Sequence, residues 1–175
     1  DKTCLYDTHE VTSLLRPGSN AVGLTLACGM YNVQAGRYVK FIGPFRPLTA
    51  IGLIRLDYED GTTETVVTDD AWKVSAGPIT FSNVFGGEDY DARLEQPGWD
   101  GPGFDAAGWA QAATYAGPGG KLEGATRASP PLRAFEVLKP VAHRPIRPGV
   151  EVYDLGQNAS IMIRMRVRGP AGSTV

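Results

Sequence analysis

A chain of 175 residues, 42% apolar and 21% charged, has the length and make-up of one globular domain, or of one domain with part of another. Its net charge of −2, with both signs interspersed, offers no basic patch to nucleic acid or to an anionic membrane. No apolar run approaches the roughly 20 residues that span a bilayer, so neither nucleic acid nor membrane is expected as a partner.

Glycine (22) and proline (13) interrupt the chain often, and long helical periodicity is missing. "VTSLLRPGSNAVGLTL" reads as a short capped turn over Thr12 to Leu15, broken by Pro17-Gly18, then a strand from Ala21 to Leu26. "GLIRLDY" alternates, with Ile54, Leu56 and Tyr58 on one face and Arg55 and Asp57 on the other. The turn signal Asp60-Gly61 follows, and "TETVVT" returns as the partner strand of a hairpin.

The stretch "GGEDYDARLEQPGWD", Gly86 to Asp100, is the densest in chemistry, with five carboxylates, an arginine, a tyrosine and a tryptophan. "WDGPGFDAAGWAQA" reads as loop with one helical turn starting near Phe104, and "GPGGKLEGATRASPP" (Gly117 to Pro131) as surface loop or linker. "LRAFEVLKPV" and "GVEVYDLGQN" are again extended. "SIMIRMRVRG" then alternates, with Ile161, Ile163, Met165 and Val167 inward and Met162, Arg164, Arg166 and Arg168 outward. Many short strands between frequent turns predict an all-β sandwich or barrel, with a boundary in the proline-rich segment 138 to 148.

Residue chemistry narrows the functions. Cys4 and Cys28 are too few for a disulfide scaffold and, with only His9 and His143 beside them, for a zinc site; they read as small buried apolar side chains. No Gly-x-Ser-x-Gly elbow is present, and "GPGGKLEG" lacks the ending of a phosphate-binding loop. Glycosidic hydrolysis needs two carboxyl groups roughly 5 to 10 Å apart. Glu88 with Glu95, or Asp91 with Glu95, supplies the residue type, but no apolar surroundings mark one as a general acid, so no catalytic residue is assigned.

Glu88, Asp89 and Asp91 are candidate ligands for calcium, which takes hard oxygen donors, although their spacing matches no EF-hand loop. Tyr90, Arg93 and Trp99, with Glu88, are the types that stack on sugar rings and bond sugar hydroxyls. The plainer alternative makes Tyr90 and Trp99 core residues and pairs Arg93 with a nearby carboxylate.

"YDTHEVTSLLRPGSNAVGLTL", "LIRLDYEDGTTETVVTDDAWKVSAGPI", "YDARLEQPGWD" and "YDLGQN" occur in this order, and together they resemble the amino-terminal β-region of bacterial α-L-rhamnosidases of glycoside hydrolase family 78. "GGEDYDARLEQPGWDGPGFDAAGW" resembles the signature of that family's jelly-roll domain, and "GVEVYDLGQNASIMIRMRVRGPAGSTV" the opening of its next β-domain.

The resemblance implies an all-β chain: a galactose-binding-like jelly-roll β-sandwich over residues 1–138, its first strands missing, then a linker and the start of a second β-sandwich over 139–175. It implies a fragment in which the catalytic carboxylates, carried in the family by a later helical barrel, are absent. Expected partners are the other domains of the parent enzyme and an L-rhamnose-containing glycan. Unpaired edge strands add association into a homo-oligomer.

No cofactor is required under this reading. Some jelly rolls of the family hold L-rhamnose through calcium with an adjacent Asp-Asn pair. This chain has no Asp-Asn dipeptide; its nearest counterparts are Met30–Asn32 and Ser82–Asp89, which add Tyr31 and Asn32 to the carbohydrate-binding candidates. Met30, just before Tyr31, stands where the resemblance would put tryptophan, which removes one stacking platform. The resemblance fits a cytoplasmic or a secreted bacterial protein alike.

Overall fold

A computed structural model describes residues 2–37, 43–44, 46–117, 119–124 and 133–175. The chain divides into two compact units, Asp1–Thr126 and Arg127–Val175. The first holds β1 (Thr3–Tyr6), β2 (Asn32–Val33), β3 (Gly43–Pro44), β4 (Leu53–Asp57), β5 (Thr63–Val67), β6 (Lys73–Val74), β7 (Ile79–Asn83), β8 (Gly87–Tyr90), β9 (Ala110–Gln111) and β10 (Lys121–Gly124). The second holds β11 (Ala142–Arg147) and β12 (Val150–Asp154). Single 3-10 turns at Thr12–Leu14 and Ala92–Leu94 are the helical elements among the described residues, and none is long and apolar enough to cross a membrane. The chain is all-β, as its turn-punctuated short strands predict.

The strands pair two by two. β1 runs parallel to β10; β2 with β3, β4 with β5, β6 with β9, β7 with β8 and β11 with β12 are antiparallel. Small open sheets of this kind agree with an all-β sandwich.

The β4–β5 hairpin forms as its sequence requires. Ile54 and Leu56 are the more covered positions and Leu53, Arg55 and Asp57 the exposed ones. Asp60 Oδ1 accepts from the Thr62 amide at 2.9 Å, Gly61 takes φ +83°, and its amide donates to the Tyr58 carbonyl at 3.0 Å.

Five elements differ from the sequence reading. Residues 21–26 form no ladder, because Gly23 sits against the Trp99 ring instead of carrying a strand. No helical turn starts at Phe104, where backbone turns run from Gly98 to Gly101 and from Gly101 to Phe104. Within the loop-like 117–131 stretch Lys121–Gly124 is β10, since long-range pairing with β1 overrides loop composition; residues 118 and 125–131 of that stretch lie outside the described residues. Ala142–Arg147 in the proline-rich segment is a strand, tolerating Pro145 because the register shifts between Pro145 and Arg147. Residues 161–167 join no ladder.

Burial is thin. Among the described residues the one buried apolar side chain is Val33, joined by buried Ser82 and Asn83. Cys4 and Cys28 are free and half-buried rather than fully enclosed.

Candidate functional site

The Gly86–Asp100 stretch is organised by the β7–β8 hairpin, and buried Asn83 sets its turn. The Asn83 Oδ1 accepts from the amides of Phe85 and Gly86, each at 2.8 Å, while its Nδ2 donates to the Gln34 carbonyl at 2.6 Å. Next to it, the Ser82 Oγ accepts from the Cys28 amide at 2.7 Å. The turn and two distant segments are thereby tied to one strand end, with every buried polar side-chain atom among the described residues bonded.

Along β8 the pleat sends Glu88 and Tyr90 to one face and Asp89 to the other. Asp89 lies opposite Phe81, and Arg37 closes over both. Its Nη2 donates to the two Asp89 carboxylate oxygens at 2.6 and 2.5 Å, and its guanidinium carbon stands 5.0 Å from the Phe81 ring centroid. The Asp89 bond, then its charge, raises the already high pKa of Arg37.

Where β8 ends, Asp91 caps the 3-10 turn Ala92–Leu94. Its Oδ1 accepts from the Arg93 amide at 3.0 Å and from Arg93 Nε at 2.8 Å, and its Oδ2 from Arg93 Nη2 at 2.6 Å. The Arg93 side-chain bond, then its backbone bond, holds the Asp91 carboxyl at a pKa of about 2. The Tyr90 hydroxyl donates to Glu95 Oε1 at 2.6 Å, and that bond first, then partial burial and the Glu95 and Glu88 charges, raises the phenol pKa.

Beyond the turn, Gln96 and the tryptophans form a packed knot. The Gln96 Nε2 donates to Ser75 Oγ at 3.1 Å and the Ala76 carbonyl at 3.2 Å, while its Oε1 accepts from the Trp109 indole at 2.8 Å. Trp99 stacks on Trp109 with centroids 6.3 Å apart, and Phe104 meets Trp109 edge-on at 5.5 Å. Gly23 closes the far side of Trp99, because any Cβ there would fall 2.3 Å from its Cζ3.

The residues singled out from the sequence therefore separate. Trp99 packs, and Arg93 pairs with Asp91, as the plainer reading has it. Tyr90 does not lie in a core: it is exposed, with its hydroxyl held by Glu95. Glu88 is exposed, and its carboxylate makes no hydrogen bond or ion pair among the described residues. Tyr31 is exposed, and Asn32 on β2 donates to the Arg46 carbonyl at 3.2 Å.

The calcium candidates do not converge. Glu88 and Asp89 leave opposite faces, Asp89 is bonded by Arg37, and Asp91 by Arg93. Among the described residues no group of three or more His, Cys, Asp or Glu side chains is arranged to hold a metal.

Arg37, Asn83, Gln96 and Trp109 organise the stretch, and sequence reading missed all four. Asn83, three residues before the Gly86-Gly87 pair, carries the signal of a side-chain-capped turn. Arg37 carries none, since its partner lies 52 residues away.

Comparison with known proteins places these features in a family. Residues 1–136 match the model of the "Alpha-L-rhamnosidase N-terminal domain". Alpha-L-rhamnosidases of Streptomyces avermitilis and Formosa agariphila are 36% and 30% identical, over 99% and 100% of this chain but 17% and 19% of their own lengths. The chain thus spans about a fifth of these curated relatives. The structure of the alpha-L-rhamnosidase from Dictyoglumus thermophilum superposes with a TM-score of 0.57 at 41% identity, over 62% of this chain and 12% of that one. With the family match covering most of its length and the strands agreeing with a solved relative, the chain belongs to the α-L-rhamnosidase N-terminal domain family.

Proposed function

We propose that this chain is the non-catalytic β-sandwich portion of an α-L-rhamnosidase-like glycoside hydrolase, bracing the catalytic part of a longer protein and presenting a carbohydrate-facing surface. In that longer protein the reaction is hydrolysis of terminal α-L-rhamnose from a glycan, by carboxylates outside this chain. The first domain of the proposal ends at residue 138, and the family match through residue 136 supports that boundary.

The observation that carries the reading is the engagement of the acidic stretch. Asp89, Asp91 and Glu95 are bonded to Arg37, Arg93 and Tyr90. A glycosidic general acid needs a raised pKa in an apolar pocket, whereas Asp91 is held at about 2 in an open setting. The exposed apolar side chains, Leu53, Val66, Val67 and Tyr58 on the β4–β5 hairpin among them, support docking against other domains. Glu88 beside Tyr90 on one face of β8 supports the carbohydrate role, a ring for stacking next to a carboxylate for hydroxyls.

A thermal-shift titration with L-rhamnose, with and without calcium and with D-mannose as control, tests the carbohydrate role, because a ligand bound only by the native state raises apparent stability. A rise with L-rhamnose that Glu88→Ala and Tyr90→Ala remove supports it. A folded chain whose melting point no sugar moves leaves bracing alone.

A further inference from the structure

We infer that Ile161–Val167 docks on the open edge of β12 as a third antiparallel strand, turning the β11–β12 hairpin into a three-stranded meander. The hairpin is an interaction surface whose occupant is the chain's own next segment. In the structure β12 pairs with β11 on one side, and no described strand takes its other edge. Residues 161–167 lie outside any ladder and leave Met162 91% and Ile163 76% exposed. A run with period-two alternation of Ile, Met and Val against Arg has the pattern and β-propensity of an edge strand covered on one face.

The chain turns back on the hairpin after β12. After β12 the Asp154 Oδ1 accepts from the Gly156 amide at 2.8 Å, and Gly156 takes φ +76°. An open recess follows on the hairpin face that carries Ala142, Arg144, Val152 and Asp154, and Ile161 lines it with them. The six residues 155–160 form the return loop.

Register follows from side-chain parity. With Asp154 opposite Ile161, half-buried Val152 and Val150 lie opposite Ile163 and Met165, so apolar meets apolar on the recess face. On the other face Tyr153 then lies opposite Met162, and Glu151 opposite Arg164. Glu151 bonds His143 Nε2 through Oε2 at 2.6 Å, which leaves Oε1 for a guanidinium. Arg164, Arg166 and Arg168 make no ion pair among the described residues. A slip of one residue would put arginines against the valines, which fixes the parity of the pairing, and the Glu151–Arg164 match selects this register within it.

Cysteine crosslinking in the full chain tests the register. In a Cys4→Ser, Cys28→Ser background, Val152→Cys is combined with Ile163→Cys or with Met162→Cys. Residues directly opposite in an antiparallel pair have Cα atoms roughly 4.5 to 5.5 Å apart, within disulfide reach, whereas side chains on opposite faces cannot bridge. Mild oxidation is expected to close the 152–163 bridge within one chain and to leave 152–162 open. Equal behaviour of the two pairs, no bridge in either, or a 152–163 bridge that links two copies overturns the inference.

Amide exchange on the unsubstituted chain checks it without any replacement. Every second amide of 161–167 is expected to be protected like those of β11. Exchange of the whole segment at the rate of an unstructured peptide, with β11 and β12 protected, overturns it.

Discussion

Gly23 and Trp99 meet so closely that the glycine has no room for a side chain: a Cβ built on Gly23 lies 2.3 Å from Cζ3 and 2.6 Å from Cη2 of the indole. Through this contact the segment after the Thr12 turn is fastened to the far end of the acidic stretch. Its backbone is not in the left-handed region, so the constraint is space alone. Gly23→Ala is therefore expected to destabilise the first unit by about 1–3 kcal/mol, the usual cost of overpacking. Chemical denaturation followed by tryptophan emission reads this, and Gly18→Ala, with open space around its Cβ position, serves as a comparison for strain at positive φ.

Asn83 is the hub of the β7–β8 turn. Asn83→Ala removes three hydrogen bonds from a residue that is 5% exposed. The expected loss is about 2 kcal/mol, at one unsatisfied buried group or more. Ser82→Ala removes a single bond to the Cys28 amide and is expected to cost about 1 kcal/mol. Urea midpoints of the two variants should rank in that order.

Acid should loosen the turn after β8. The Asp91 carboxyl is depressed to about 2, so its contribution is present above the unfolded value near about 3.9 and is lost as pH falls toward about 2. Asp57, lowered by Arg55 and then Thr63, acts in the same direction on the β4–β5 hairpin. Acid titration by circular dichroism should show Asp91→Asn with a weaker stability decline across this window. Added salt should shrink the difference, because the Arg93 pair is exposed.

Alkali acts through Tyr90. Its raised phenol pKa means that the contribution is fully present below the unfolded value near about 10 and is lost as pH rises through the folded value. Phenolate absorbance in Glu95→Gln should appear at lower pH than in the unsubstituted chain, because the first cause of the shift is the bond to Glu95.

Legibility followed sequence distance. The β4–β5 hairpin was readable because its alternation, its Asp-Gly turn and its partner strand lie within 15 residues of one another (53–67). Much of the acidic stretch was readable too: Asp91 and Arg93 are neighbours whose pairing depends on local backbone only. The Arg37–Asp89 clasp, the Gly23–Trp99 contact and the β1–β10 pairing join segments far apart in sequence, and composition carries no trace of which distant partner a side chain meets. Pro145 argued against a strand, and a shifted register admits it all the same.

Hydrolysis of an aryl α-L-rhamnoside by this chain alone tests the central claim most directly, with its fold checked by circular dichroism. No turnover above the uncatalysed rate is expected, and none in Glu88→Gln or Glu95→Gln either, since the carboxylates here brace turns and face solvent. Turnover by the folded chain that either replacement abolishes would contradict it and make Gly86–Asp100 a catalytic site.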